Sequence, residues 1–404
     1  MATLVPFRAL RPVPEAAARV AAVPYDVVST DEARALAAGN PLSFLHVSRP
    51  EIDLPPGTDP HTDGAYDRAA ANLAALRREA PLVVDASPAV YVYRLTMGAH
   101  VQTGVAACYA IDEYDRGVIR KHERTRRDKE DDRTRHLIAL RAQTGPVFLV
   151  YPGSAAIDAE LDRLATGTPL FDFTAADGIR HTLWRADEAG QGRLVEAFAA
   201  VPALYIADGH HRAASASRAR HHVRGVDGPG ECDTFLAVAF SGAQTEILAY
   251  NRVVKDLNGH SPGSLVDAVR ARCGVTDGPA LPAQRGHVSM FVDGRWYDVT
   301  LPEAPGTLPA AERLDVARLH ALVLAPVLGI GDERTDARID FIGGGRGTAA
   351  LEARVTSGQA GVAFSMYPVS VDDLMAIADE GGIMPPKSTW FEPKLRDGLL
   401  SHLI

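Results

Sequence analysis

Cysteine is scarce in this chain, and its scarcity excludes two classes at once. Cys108, Cys232 and Cys273 are three in 404 residues, an odd number with no CxxC pair. A disulfide framework and a cysteine-based zinc site are both set aside on that ground. The three thiols read as reduced, partly buried small hydrophobes, which suits the cytoplasm. Long hydrophobic runs are missing too. No stretch approaches the ~18 consecutive apolar residues of a membrane span, and residues 1–11 show no signal-peptide core. Positive charge is in deficit: the formal net charge is -9, which argues against a general nucleic-acid binder. No GxSxG elbow, HExxH helix or zinc-deaminase signature is present.

What remains is an ordinary globular composition, 46% hydrophobic and 23% charged, in a chain long enough for two or three domains. Arg and Ala far outnumber Lys and Ile, a bias that lowers the weight of any single arginine. Periodicity predicts helices from Ser29, over 64–79, 128–142 and 264–273, from Asp315 to Leu328, and from Val371 to Glu380 with Ser370 as cap. Strands are expected at 43–47, 90–95, 104–111, 147–151, 203–207, 234–240, 247–254 and 362–367. A hairpin is expected about Asp293-Gly294. Strands and helices mix without a regular βαβ period, so the expected class is α+β with mixed sheets. Three regions follow: an N-terminal α/β region (1–100), a core (101–260), and a C-terminal α+β region with a Pro/Lys-rich loop (261–404).

The core carries the most informative segment, Ala203 to Arg212. An apolar, β-prone run ends at Asp208-Gly209, and His210, His211 and Arg212 open a helix. A strand turning through glycine into a helix start gathers backbone N–H groups and a positive dipole end at one point. Cations at that point oppose the dipole unless an anion, most naturally a phosphate, is bound. Asp208 beside the turn can hold a metal ion or a proton. The bland alternative is a capped helix with surface histidines.

Upstream, residues 116–135 hold nine basic and five acidic side chains. As a strand, 117–124 would put Lys121 and Glu123 on one face and His122 and Arg124 on the other. A carboxylate beside a cation suits a general base held next to phosphate; a solvated charge run is the alternative. Near the C-terminus, Met384 to Lys394 combines two prolines with Lys387, Lys394, Trp390 and Phe391. It reads as a binding lip, or as a strap packing its aromatics. The run Gly343 to Gly347 matches neither Walker nor Rossmann spacing and reads as a loop. Tyr25-Asp26 has no spacing argument of its own, and Asn251-Arg252 is expected to line a cleft.

Taken in order, the Phe7 to Pro12 and Pro24 to Ser29 segments, Lys121 to Thr125, Ile206 to Arg212 and Met384 to Lys394 resemble a bacterial family of conserved proteins of unknown function, the DUF1015 type. The Asp208 to Arg212 turn alone is similar to the signature of free-serine kinases built on a ParB-like fold. That resemblance implies a ParB-like nucleotide-binding core carrying further α/β elaborations. It also implies phosphate ligation by Gly209, His210, His211 and Arg212, and a separate glutamate as base, Glu123 before Glu51. The expected function is then phosphoryl transfer from ATP (or ADP), with Mg2+ at Asp208, to a small hydroxy amino acid, free L-serine foremost. Catalysis would fall to Glu123, Asp208 and His211, and nucleotide binding would be shared with Lys121, Arg124, Lys387 and Lys394. Two alternatives stand beside it: a ParB-like nucleotide switch, and a metal-dependent phosphodiesterase. No membrane or nucleic-acid partner is expected, and a homodimer is allowed.

Overall fold

The computed structural model describes residues 2–79 and 82–404. The chain forms two compact units: residues 1–245 with 393–404, and residues 246–392. The expected mixed α+β class is the class adopted. The three-region division is not the one the contacts make. A hairpin spans residue 100, and the last twelve residues return to the first unit.

The first unit is built on a nine-stranded sheet. Its strands are β1 (Leu4–Val5), β2 (Tyr91–Met97), β3 (His100–Ala110), β4 (Ile119–Arg120), β5 (Val147–Tyr151), β6 (Phe171–Thr174), β7 (Arg180–Arg185), β8 (Leu204–Asp208) and β9 (Thr234–Ser241). The order is β4-β8-β5-β9-β3-β2-β7-β6, with β1 added beside β3. Most pairs are antiparallel, but β5 runs parallel to β9, and β4 parallel to β8. The central strands β5 and β9 are buried almost throughout, as their unbroken apolar runs require.

Helices α1 (Thr30–Ala37), α2 (Asp63–Glu79), α3 (Arg127–Leu140), α4 (Ala155–Leu164), α5 (Glu188–Ala199) and α6 (His210–Asp227) complete this unit. Ile157 and Leu161 of α4 and Leu194 and Phe198 of α5 share one core with Leu149, Ile206 and Ala237 of the sheet. A second core joins α1 and α2 through Ala33, Ala69, Leu73 and Leu76. Ser29 caps α1 in a full capping box with Glu32. Helix α6 packs on α3, and Ser215 Oγ donates to the Glu130 carbonyl at 3.2 Å.

The second unit has a six-stranded sheet of β10 (Tyr250–Val254), β11 (Gly274–Asp277), β12 (His287–Val292), β13 (Arg295–Thr300), β14 (Ile339–Gly343) and β15 (Val362–Met366), ordered β11-β13-β12-β15-β10-β14. Helices α7 (Pro262–Arg270), α8 (Gly347–Thr356) and α9 (Val371–Asp379) accompany it. The β12–β13 hairpin turns at Asp293 (φ 50°) and Gly294 (φ 73°), the left-handed pair that an Asp-Gly turn supplies. Glu246–Leu248 pairs with Trp390–Glu392 in a separate short ladder.

Three local expectations fail for physical reasons. Residues 43–47 do not form a strand; Leu45–Ser48 is a helical turn, with Ser43 Oγ accepting the Leu45 N–H at 3.3 Å. A short apolar run carries no period long enough to separate the two. Only Ile119–Arg120 of 117–124 is strand. The His122 and Arg126 N–H groups turn instead to the His210 and His211 rings. Finally, 315–328 is not one α-helix: an α turn (Asp315–Leu319) passes into a wider π turn (His320–Leu324).

Candidate active site

Strand β8 delivers Asp208 to the edge of the core, and Gly209 turns the chain into α6. Gly209 has φ +96°, and a Cβ there would lie 2.9 Å from Arg212 Nε. Both the backbone sign and the close approach therefore require glycine. The N–H groups of His210, His211 and Arg212 precede the first acceptor of the helix, because Ala213 N–H is the first to bond back, to the Gly209 carbonyl. No acidic residue occupies the first turn of this 18-residue helix, so its positive end faces the turn uncompensated from within.

Asp208 supplies the compensation. Its Oδ2 accepts from Lys394 Nζ at 3.1 Å, and its Oδ1 lies 3.6 Å from Arg212 Nη2. Burial opposes its ionisation, but Lys394 and Arg212 prevail and hold the carboxyl well below the usual range. Asp26 and Asp397 also act on the Arg212 charge, so this helix N-terminus gathers cations and carboxyl groups together. Arg212 also donates to the Pro146 carbonyl, and its Nε is buried without a partner. It further lines a pocket with Tyr25, Ser48, Arg133, Thr144 and Asp397. In that pocket burial pushes the Asp397 carboxyl up to about 7, against the pull of Arg212.

The histidines take separate roles. His211 Nε2 accepts the Arg126 N–H at 3.0 Å, tying α6 to the segment before α3. His210 is 6% exposed and meets the ring of His122 edge-on at 4.5 Å between centroids. Burial and His122 hold its imidazole neutral, far below the ordinary histidine range. His122 is itself 2% exposed and lowered to about 4 by burial. Glu123 joins these two, so that one ligand atom from each of His122, Glu123 and His210 lies within 4.8 Å of the others.

The structure thus gathers Glu123, Asp208, Gly209, His210, Arg212 and Lys394 around one turn, with His211 on its outer side. Lys121 lies over the Tyr114 ring, its Nζ 3.7 Å from the ring centre, and its charge is felt by His210. Arg124 is exposed to solvent. Lys387 and Lys394, expected to act together, belong to different units, and Lys387 lies over the Tyr250 ring. Asp208, expected to ligate metal, is neutralised by two cations instead, and the metal-competent set is His122, Glu123 and His210. Mg2+ takes oxygen ligands in near-octahedral array, and two imidazoles with one carboxylate do not fit it.

Sequence reasoning named the His122 segment but not the residue as a ligand. Asp397 it missed, although it follows Lys394 by three positions. Asn251 and Arg252, expected in a cleft, are buried in β10.

Residues 4–317 match the family described as protein of unknown function, DUF1015, and the chain belongs to that family. No curated protein matches it. Among solved structures it is similar to a mutant free serine kinase in complex with AMP, at 13% identity over 74% of this chain and 92% of that one (TM-score 0.38). It is also similar to a conserved hypothetical protein from Pyrococcus furiosus, at 13% over 74% and 94% (TM-score 0.36). A third is SbnI with a C-terminal truncation from Staphylococcus aureus, at 13% over 74% and 87% (TM-score 0.39). Among the described residues no helix is long and apolar enough to cross a membrane.

Proposed function

We propose that the chain is a phosphotransferase, moving a phosphoryl group from a nucleotide, ATP or ADP, to the hydroxyl of a small metabolite, with free L-serine as the first acceptor to test. One observation carries this reading. Lys394, Arg212 and the first N–H groups of α6 converge on the Asp208-Gly209 turn, with a carboxylate and two neutral imidazoles beside it. Phosphoryl transfer asks a protein mainly for positioning and charge neutralisation, and the turn offers both. The N–H groups of 210–212 would hold phosphate oxygens, and Arg212 and Lys394 would meet the charge shifting to the leaving group. Asp208 would keep those cations aligned, and Glu123 would take the acceptor proton. Magnesium would travel with the nucleotide phosphates rather than in a cage made by the protein.

The pocket on Arg212 supports a zwitterionic acceptor. Arg212, with Arg133 beside Asp132, would take a carboxylate there, and Asp397 an ammonium. The test offers the purified full chain ATP or ADP, magnesium and a panel of hydroxy amino acids, with products read by mass spectrometry. Phosphoserine is the expected product, and its yield should fall at least 100-fold in Arg212→Ala. Tight nucleotide binding with no phosphorylated acceptor would leave the nucleotide-switch reading in its place.

A further inference from the structure

Among the described residues one cluster of nitrogen and oxygen donors has a chemistry that the phosphate-binding turn does not use. His122, Glu123 and His210 bring one ligand atom each within 4.8 Å of one another. The two histidines come from different elements: His122 from the irregular segment after β4, and His210 from the first turn of α6. The local fold therefore brings them together, and not sequence adjacency.

The state of His122 is the second observation. The Ile206 carbonyl acts on its ring and favours an N–H on the nitrogen that faces it. Its Nδ1 is buried and has no hydrogen-bond partner. The proton thus sits on Nε2, and Nδ1 holds a buried lone pair that nothing answers. Such an acceptor is costly to leave unsatisfied. An imidazole that gives its other N–H to a backbone carbonyl while turning a bare nitrogen inward has the second shell of a metal-bound histidine. His210 Nε2 takes a long bond from the His122 N–H at 3.4 Å, beyond the usual range for such a bond.

We propose that His122, Glu123 and His210 bind one divalent transition-metal ion, Zn2+ or Mn2+ in preference to Mg2+. Two imidazoles and a carboxylate are borderline donors that favour such ions over magnesium. Bonds of about 2.0–2.2 Å would draw the ligand atoms to roughly 3.4 Å apart. Glu123 is partly buried on irregular backbone, and its carboxylate is the ligand that would shift. Three protein ligands leave at least one position open, as in catalytic rather than structural sites. The open position adjoins the positive end of α6, so its natural occupant is an oxygen of a phosphate, a hydroxyl or water. With the ion in place Glu123 becomes a ligand, and the ion rather than the carboxylate lowers the pKa of a bound hydroxyl. The metal proposal does not depend on the kinase reading, because it is scored by occupancy.

The test strips the full chain with chelator, then titrates Zn2+, Mn2+ and Mg2+ by equilibrium dialysis with metal analysis. Co2+ serves as the spectroscopic probe of the ligand set. One ion per chain is expected, weakened about 100-fold by His122→Gln and at least 10-fold by Glu123→Gln. The exposed pair His221 and His222 on α6 is the control for surface chelation, and His221→Gln/His222→Gln should bind as the parent does. Thermal melting of the stripped variants checks folding, and Glu123→Gln keeps the ion count readable if His122→Gln is destabilised by the loss of its ring packing on His210. Absence of a stoichiometric ion, preference for Mg2+, or loss confined to the His221/His222 variant overturns the proposal.

Discussion

Arg212 in the first unit and Arg252 in the second are both withdrawn from solvent, and their surroundings differ in one respect. Arg252 is fully buried on β10 and faces Glu333 at 3.5 Å. The Tyr250 and Pro386 carbonyls take its terminal nitrogens, and His320 Nδ1 lies 3.0 Å from the other Glu333 oxygen. Charge is answered by charge within a closed set. Arg212 pairs instead with Asp208, which also takes Lys394, at the positive end of a helix, and Asp26 and Asp397 also act on its charge. Each guanidinium keeps its Nε buried without a hydrogen-bond partner. Burial of an arginine therefore says little about function; its place, at a helix start in one unit and within a sheet in the other, says more.

The comparison breaks most readily with acid. His122 is lowered to about 4, His136 and His181 to about 3, and His210 in the same direction, burial being the leading cause in each. All four lie in the first unit. The folded state keeps them neutral, while the unfolded chain protonates them below about pH 6.5. Their contribution is whole above that value and is lost as pH falls from 6.5 toward 4. Asp397, raised to about 7, works the other way by one proton. A net of about three protons costs on the order of 4 kcal/mol per pH unit within that window. Hydrogen exchange by mass spectrometry from pH 7 to 4.5 should show the first unit opening with that slope. A flat profile would mean that these rings protonate in place.

Arg252→Met should cost about 3–5 kcal/mol, because it leaves Glu333 buried and unpaired. Urea unfolding reads the loss, and Arg252→Met/Glu333→Leu should recover most of it. If the single variant is as stable as the parent, the closed set is not holding the second unit. Gly209→Ala should cost about 1–2 kcal/mol for the left-handed backbone. It should also weaken nucleotide binding by calorimetry, since a methyl group displaces Arg212. A variant that unfolds sooner but binds ADP equally well would separate the turn from phosphate. The smallest change is Ser370→Ala, which removes the capping box of α9. About 1 kcal/mol is expected, matched by Ser29→Ala on α1, so the two units should differ little where neither does chemistry.

Much of this was legible locally. Strand β8, the glycine turn, the start of α6, the β2–β3 pair, the Asp293-Gly294 hairpin and the Ser370 cap all follow from spacing and turn chemistry within a dozen residues. What was not legible depends on distant partners. No local pattern tells that His122 meets His210, that Asp397 shares a pocket with Tyr25 and Arg133, or that Lys387 and Lys394 part between units. Nor could periodicity tell that the 117–124 backbone would spend its donors on imidazoles. The residues of the site were mostly readable; their pairings were not.

The short ladder between Glu246–Leu248 and Trp390–Glu392 bears on how the chain is made. Lys394 can reach Asp208 only after the whole insertion 246–392 has been synthesised. Closing an unstructured loop of that length costs about 4 kcal/mol of chain entropy. The ladder sets the two ends of the insertion side by side within the second unit. Once that unit has folded, the closure cost is already met, and residue 393 re-emerges beside the strand that residue 245 leads into. A nascent chain halted inside the insertion would hold Asp208, Arg212 and the turn without their second cation. The charge around the turn is assembled only once residue 394 has followed the insertion.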